Sequence, residues 1–117
     1  MAQIGKVSFE IFNGQTEALG YIHTMQISTD IKLVPTSEPE GSTKPAYRVF
    51  AIRSDVQIEI GAAWVKRMNN PPSGKEEFLS MLIDDPSFEQ PLNIAAFPTD
   101  EEGDFNIVWR RRQDTRH

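Results

Sequence analysis

Two tryptophans in this chain are closely followed by basic residues: Trp64 by Lys66-Arg67 and Trp109 by Arg110-Arg111-Arg112. Aromatic rings beside cations are the chemistry of a single-strand nucleic-acid groove, where bases stack and phosphates are neutralised. In that reading Lys66, Arg67, Arg110, Arg111 and Arg112 contact phosphates, and an aromatic such as Phe97 or Tyr47 carries the stack. Negative charge is gathered too. From Asp84 to Asp104 there are seven carboxylates and no Lys or Arg. Four of them, Asp100, Glu101, Glu102 and Asp104, form an acidic loop suited to a basic protein partner, which it would meet partly as a phosphate mimic.

Other chemistries find little support. The only histidines are His23 and the terminal His117, too few for a three-histidine zinc site. His23 falls among apolar residues of one parity and reads as a core or edge histidine with a satisfied hydrogen bond. The absence of cysteine excludes thiolate catalysis, disulfides and cysteine-ligated zinc, and fits a reducing compartment. No Gly-x-Ser-x-Gly turn presents a nucleophile. The stretch "NNPPSGKE" fails as a phosphate loop: Asn69 replaces the first glycine and Glu76 the magnesium-binding hydroxyl. "DDPSF" and "DEEGD" lack calcium-loop spacing and read as turns. The expectation is therefore no catalytic, cofactor or metal site, and a non-catalytic protein.

The elements that would position these residues repeat with period two. Val7, Phe9 and Ile11 alternate with polar residues, and Leu19, Tyr21, Met25 and Ile27 share a parity with His23. Val56, Ile58, Ile60, Ala62 and Trp64 fall on one face opposite Gln57 and Glu59. "YRVFAI", "FLSMLI", "LNIAAF" and "FNIVW" continue the pattern, which is that of half-buried strands. Asn13-Gly14 signals a hairpin. The expected fold is all-β: a small antiparallel barrel or two-sheet sandwich of about 7–8 strands, with at most one short helix. The one helix candidate is 75–82, where strand is preferred. Residues 35–45 read as a flexible polar loop and 110–117 as a basic tail. Ile58, Ile60, Trp64 and Trp109 are expected in the core, because burying an aromatic ring stabilises by more than stacking a base on an exposed one. In a simple meander the strands ending in the two basic clusters run oppositely. Lys66-Arg67 then lies near "DEEGD" and the tail near "DDPSFEQ", with no continuous positive stripe.

A chain of 117 residues is expected to form one domain. No stretch approaches the roughly 20 apolar residues of a membrane span, and the N-terminus lacks the apolar core of a signal peptide, so a cytoplasmic protein is expected. The formal net charge of −5 disfavours non-specific nucleic-acid binding.

Several segments in order resemble one bacterial family, known as domain of unknown function 736. They are "MAQIG" (1–5), "LGYIHTMQI" (19–27), "YRVF" (47–50), "EIGAAW" (59–64), "FLSMLIDDPSF" (78–88) and "IVWRR" (107–111). The resemblance implies a small, mostly β, cytoplasmic protein, often encoded on plasmids and integrative elements. It supplies no activity and no functional residues. Two readings follow. One is a nucleic-acid-binding protein of a mobile element; the other is an accessory factor or inhibitor that binds a protein of the host or of the transfer machinery. Homodimerisation through an exposed strand edge is compatible with either.

Overall fold

The computed structural model describes residues 2–12, 14–25, 27–36, 43–68 and 77–109. They form eight strands: β1 (Ala2–Phe12), β2 (Gln15–His23), β3 (Ser28–Pro35), β4 (Tyr47–Arg53), β5 (Val56–Arg67), β6 (Glu77–Ile83), β7 (Leu92–Pro98) and β8 (Asp104–Trp109). Each pairs antiparallel with the next, and β8 returns to β1, so the sheet closes into an up-and-down barrel without a crossover. The segment around 75–82 contributes strand from Glu77 onward, and the described residues contain no helix.

Tight turns set the order. Gly14 takes φ 78°, a conformation costly for residues with a Cβ, and lets Phe12 pair with Gln15. Ser54 and Asp55 both have positive φ, 49° and 67°, as a two-residue hairpin of twist-matched type requires. The meander gives the barrel two unlike ends. One carries the β1–β2, β3–β4, β5–β6 and β7–β8 connections. The other carries the β2–β3, β4–β5 and β6–β7 connections, the start of β1 and the end of β8.

The interior is aliphatic. Val7, Ile22, Ile31, Leu33, Val49, Met81, Ile83 and Ile107 are fully or almost fully buried. Each such side chain stabilises by about 1.5–3 kcal/mol. Larger rings close the ends: Phe9, Tyr47 and Phe105 at one, Phe88 and Trp109 at the other, all packed on the core. An eight-stranded barrel is just wide enough for such a filling. Outside, ion pairs join neighbouring strands: Lys6–Asp104 (3.7 Å) between β1 and β8, Lys32–Glu17 (3.3 Å) between β3 and β2, and Arg48–Glu59 (3.8 Å) between β4 and β5.

Two expectations about facing need correction. In β5, Val49 pairs with Gly61 but Phe50 pairs with Glu59, so Ile60 is an extra residue. This β-bulge inverts the alternation. Ile60 is buried (8% exposed), but beyond it Ala63 points inward and Ala62 and Trp64 point outward. Trp64 is thus not a core residue. Half-buried on the outer surface, it donates its indole N–H to the carbonyl of Thr43 at 3.1 Å. Ile58 is not core either, at 44% exposed. It keeps the inward parity, opposite Ala51, but β6 stops at Ile83 opposite Gly61, leaving residues 56–60 overhanging the barrel. In β2, Ala18 and Ile22 are buried, so Leu19, Tyr21 and His23 face outward. Met25, in the following loop, is fully exposed.

Candidate functional site

The topology puts the end of β5 and the end of β8 at opposite ends of the barrel. Lys66 and Arg67 end β5 at the same end of the barrel as the β7–β8 loop with Asp100, Glu101 and Glu102. All five are exposed. Arg67 stands opposite Glu77 on β6. The loop is organised by Thr99, whose hydroxyl accepts from the Glu101 N–H (3.1 Å), and by Gly103 at φ 86°. Asp104 opens β8, partly buried and paired with Lys6. Arg110, Arg111 and Arg112 lie outside the described residues, but β8 delivers the chain at Trp109 to the opposite end. Residues 37–42 of the polar loop and 69–76 of "NNPPSGKE" also lie outside the described residues.

Neither aromatic expected to carry a base is a free platform. Phe97 stacks on Phe78 with centroids 5.0 Å apart, on the outer face. Tyr47 meets Phe9 edge-on at 5.5 Å inside the barrel mouth, and Phe9 meets Phe105 in the same way. Burial, and then the charge of Glu77, raise the Tyr47 phenol above its ordinary pKa. The space there is small, about 210 Å³, between these rings, Val65, Glu77 and Leu79.

The opposite mouth holds the larger opening, a cleft of about 490 Å³, and local sequence explains it on both sides. On one side Thr24 closes the β2–β3 loop: its N–H donates to the Ile27 carbonyl (2.6 Å) and its hydroxyl accepts from the Ile27 N–H (3.0 Å). Ile27 then packs on the core while Met25 projects into solvent. On the other side the "DDPSF" stretch folds on itself. Ser87 donates through its N–H (2.9 Å) and its hydroxyl to the Asp85 carboxylate, and the Phe88 N–H donates to the Asp85 carbonyl (2.8 Å). These bonds hold the Asp85 carboxyl below the usual carboxylate pKa and aim Phe88 over the mouth. The Asp84 N–H donates to the Ile60 carbonyl at 2.6 Å, tying this turn to the bulge within "EIGAAW". Ile4, Met25, Ile27, Phe88, Leu92 and Trp109 line the cleft together with Thr24, Gln90 and Pro91, and none of these carries a charge.

Residue-by-residue motif reading missed this cleft because its lining comes from four separate places in the chain, all apolar or neutral. A second feature hidden in the sequence is the outer face of β5–β8. Trp64, Ser80, Ala95 and Val108 run across it in one row, with Ala62, Leu82, Phe78 and Phe97 on either side; this row carries no charge, and Glu59, Lys66 and Asp104 border it. Among the described residues no group of three or more His, Asp or Glu is placed to hold a metal ion.

The chain belongs to the family described as "Protein of unknown function (DUF736)", whose model matches residues 3–112. No curated protein and no solved structure matches it.

Proposed function

We propose that this chain is a non-catalytic binding protein whose partner is another protein, gripped by an apolar segment in the uncharged cleft between the β2–β3 and β6–β7 loops. One observation carries the reading: the cleft is concave, of ligand-site size, and lined by large apolar side chains with a few neutral polar groups. Phosphate would find no cation in its lining, whereas a partner's aliphatic or aromatic side chain would be desolvated on all sides. The arrangement of charge supports the same choice. Lys66 and Arg67 share their end of the barrel with acidic residues, and the described residues offer no positive stripe for a nucleic-acid backbone.

The test uses Trp109 as reporter in a Trp64→Phe background. Peptides selected from a display library should be rich in apolar residues and should shift the Trp109 emission. Met25→Glu and Phe88→Glu should abolish that shift, while Glu101→Gln should leave it intact. Peptide binding indifferent to both cleft substitutions refutes the proposal. So does a low-salt mobility shift of single-stranded or duplex DNA with no peptide binding.

A further inference from the structure

We propose that two copies of this chain pair through the overhanging edge of β5, strand against antiparallel strand, about a two-fold axis at Ile58. This goes beyond the cleft and rests on a different observation. A closed barrel should have no free edge, yet this one has a short one. Among the described residues, 56–60 pair with β4 on one side only, because β6 ends at Ile83, opposite Gly61. Among the described residues the one further backbone bond to this stretch is from the Asp84 N–H to the Ile60 carbonyl.

The edge is short, carries Glu59 and ends at the Ile60 bulge, but other devices that block pairing are missing. It carries no proline or lysine, and two of its three inward-parity residues are apolar and open, Val56 at 56% and Ile58 at 44% exposed. Its side-chain order, Val-Gln-Ile-Glu-Ile, suits a second copy in one register. With Ile58 opposite the second copy's Ile58, each Gln57 falls opposite a Glu59. Val56 falls opposite Ile60 on the apolar side. Directly opposed residues of an antiparallel pair share a face, so apolar meets apolar and each carboxylate meets a neutral amide that can donate to it. Shifting the register by two residues would put Glu59 opposite Asp55 and is disfavoured by like charge. The outcome would be one sheet continuous from β3 and β4 of one copy, through the two β5 strands, to those of the other.

Gln57 is exposed and of outward parity, so it tests register from outside the core. Sedimentation equilibrium should show a reversible monomer–dimer system. Gln57→Glu creates two like-charge pairs per dimer and should weaken association by between about twofold and about thirtyfold. Gln57→Lys creates two opposite-charge pairs and should tighten it by a similar factor. Backbone amides of 56–60 should exchange more slowly as concentration rises. A chain that stays monomeric throughout overturns the proposal, as does a dimer whose constant neither variant moves. Neither failure bears on peptide binding in the cleft.

Discussion

Gly20→Ala is expected to be among the most damaging single-methyl additions this chain can receive. Gly20 lies in β2 opposite Val7, on the inward face. A Cβ placed there would stand 1.8 Å from the Lys6 carbonyl oxygen and 2.7 Å from the Lys6 carbonyl carbon and the Val7 Cα. The obstacle is backbone, not the end of a flexible side chain. Relieving it requires β1 and β2 to part by more than about 1 Å, which takes ladder bonds near 2.9 Å out of hydrogen-bonding range. Overpacking costs about 1–3 kcal/mol, and two lost ladder bonds add about 1 kcal/mol each. The total is about 3–5 kcal/mol. At about 2.1 cal/mol/K per residue, 1 kcal/mol is about 4 °C for a chain of this length, so Tm should fall by about 12–20 °C in calorimetry. Gly14→Ala is the control. It has φ 78° but nothing within 4 Å of the added methyl, so backbone strain alone of about 1–2 kcal/mol should lower Tm by about 4–8 °C. If Gly20→Ala melts no lower than Gly14→Ala, the close strand approach that bends β1 and β2 into the barrel is wrong.

Other consequences are as direct. Ile22→Ala should cost about 2–5 kcal/mol in urea denaturation at low protein concentration, and Ile58→Ala less than about 1 kcal/mol; equal costs would return Ile58 to the interior. In an ultraviolet titration Tyr47 should ionise above the usual value near 10, and Glu77→Gln should bring it part of the way down, since burial is the larger cause. Because its folded pKa is raised, the stability Tyr47 contributes is present at neutral pH and lost as pH climbs past 10; a Tyr47 that titrates at the ordinary value refutes its burial. By carbon-detected NMR the Asp85 carboxylate should titrate below the usual range and return toward it in Ser87→Ala. Its stabilising effect is present above the usual carboxylate pKa and fades as pH falls through the depressed one; no change in Ser87→Ala would mean the turn is held otherwise.

Antiparallel order, the approximate strand number and the turns around Gly14, Pro86 and Gly103 were legible in the sequence, because period-two runs and their Gly, Pro and Asp punctuation are local; the turns between Thr24 and Ile27 and at Ser54-Asp55 were not, since neither carries a glycine or proline and the first keeps the parity of β2. Facing was less so, for two physical reasons. In β5 the bulge at Ile60 depends on the pairing with β4, and no composition rule marks it apart from Gly61, whose Cβ would stand 2.1 Å from the Leu82 carbonyl oxygen. Parity counted from Val56 is therefore right up to Ile60 and inverted at Trp64. In β2 the more apolar-looking parity, Leu19 and Tyr21, faces out, since the narrow barrel bends where Gly20 lets β1 approach and so takes Ala18 and Ile22 inside. The opposite directions of β5 and β8 followed from simple meander order. The cleft did not, because Ile4, Met25, Phe88 and Trp109 meet only once β8 closes on β1.

That closure also limits where recognition can occur. With aliphatic side chains along the barrel axis and aromatic rings across both ends, a partner must be met at a rim or on the outer surface. The rim holding the acidic loop is charged, with Glu77 beside the Tyr47 ring, and exposed ion pairs there would contribute only about 0–1 kcal/mol each to an encounter. It suits steering more than grip. The cleft at the other rim has an uncharged, mostly apolar lining, with Met25 projecting beside it, and contact there would remove apolar surface from water at about 25 cal/mol per Å². Among the described residues this cleft combines concavity, apolar area and an uncharged lining. The "DDPSF" turn and the bulge of "EIGAAW" meet behind it through the Asp84–Ile60 bond, so the two sequence stretches most distinctive of this chain serve to hold the same wall of the cleft.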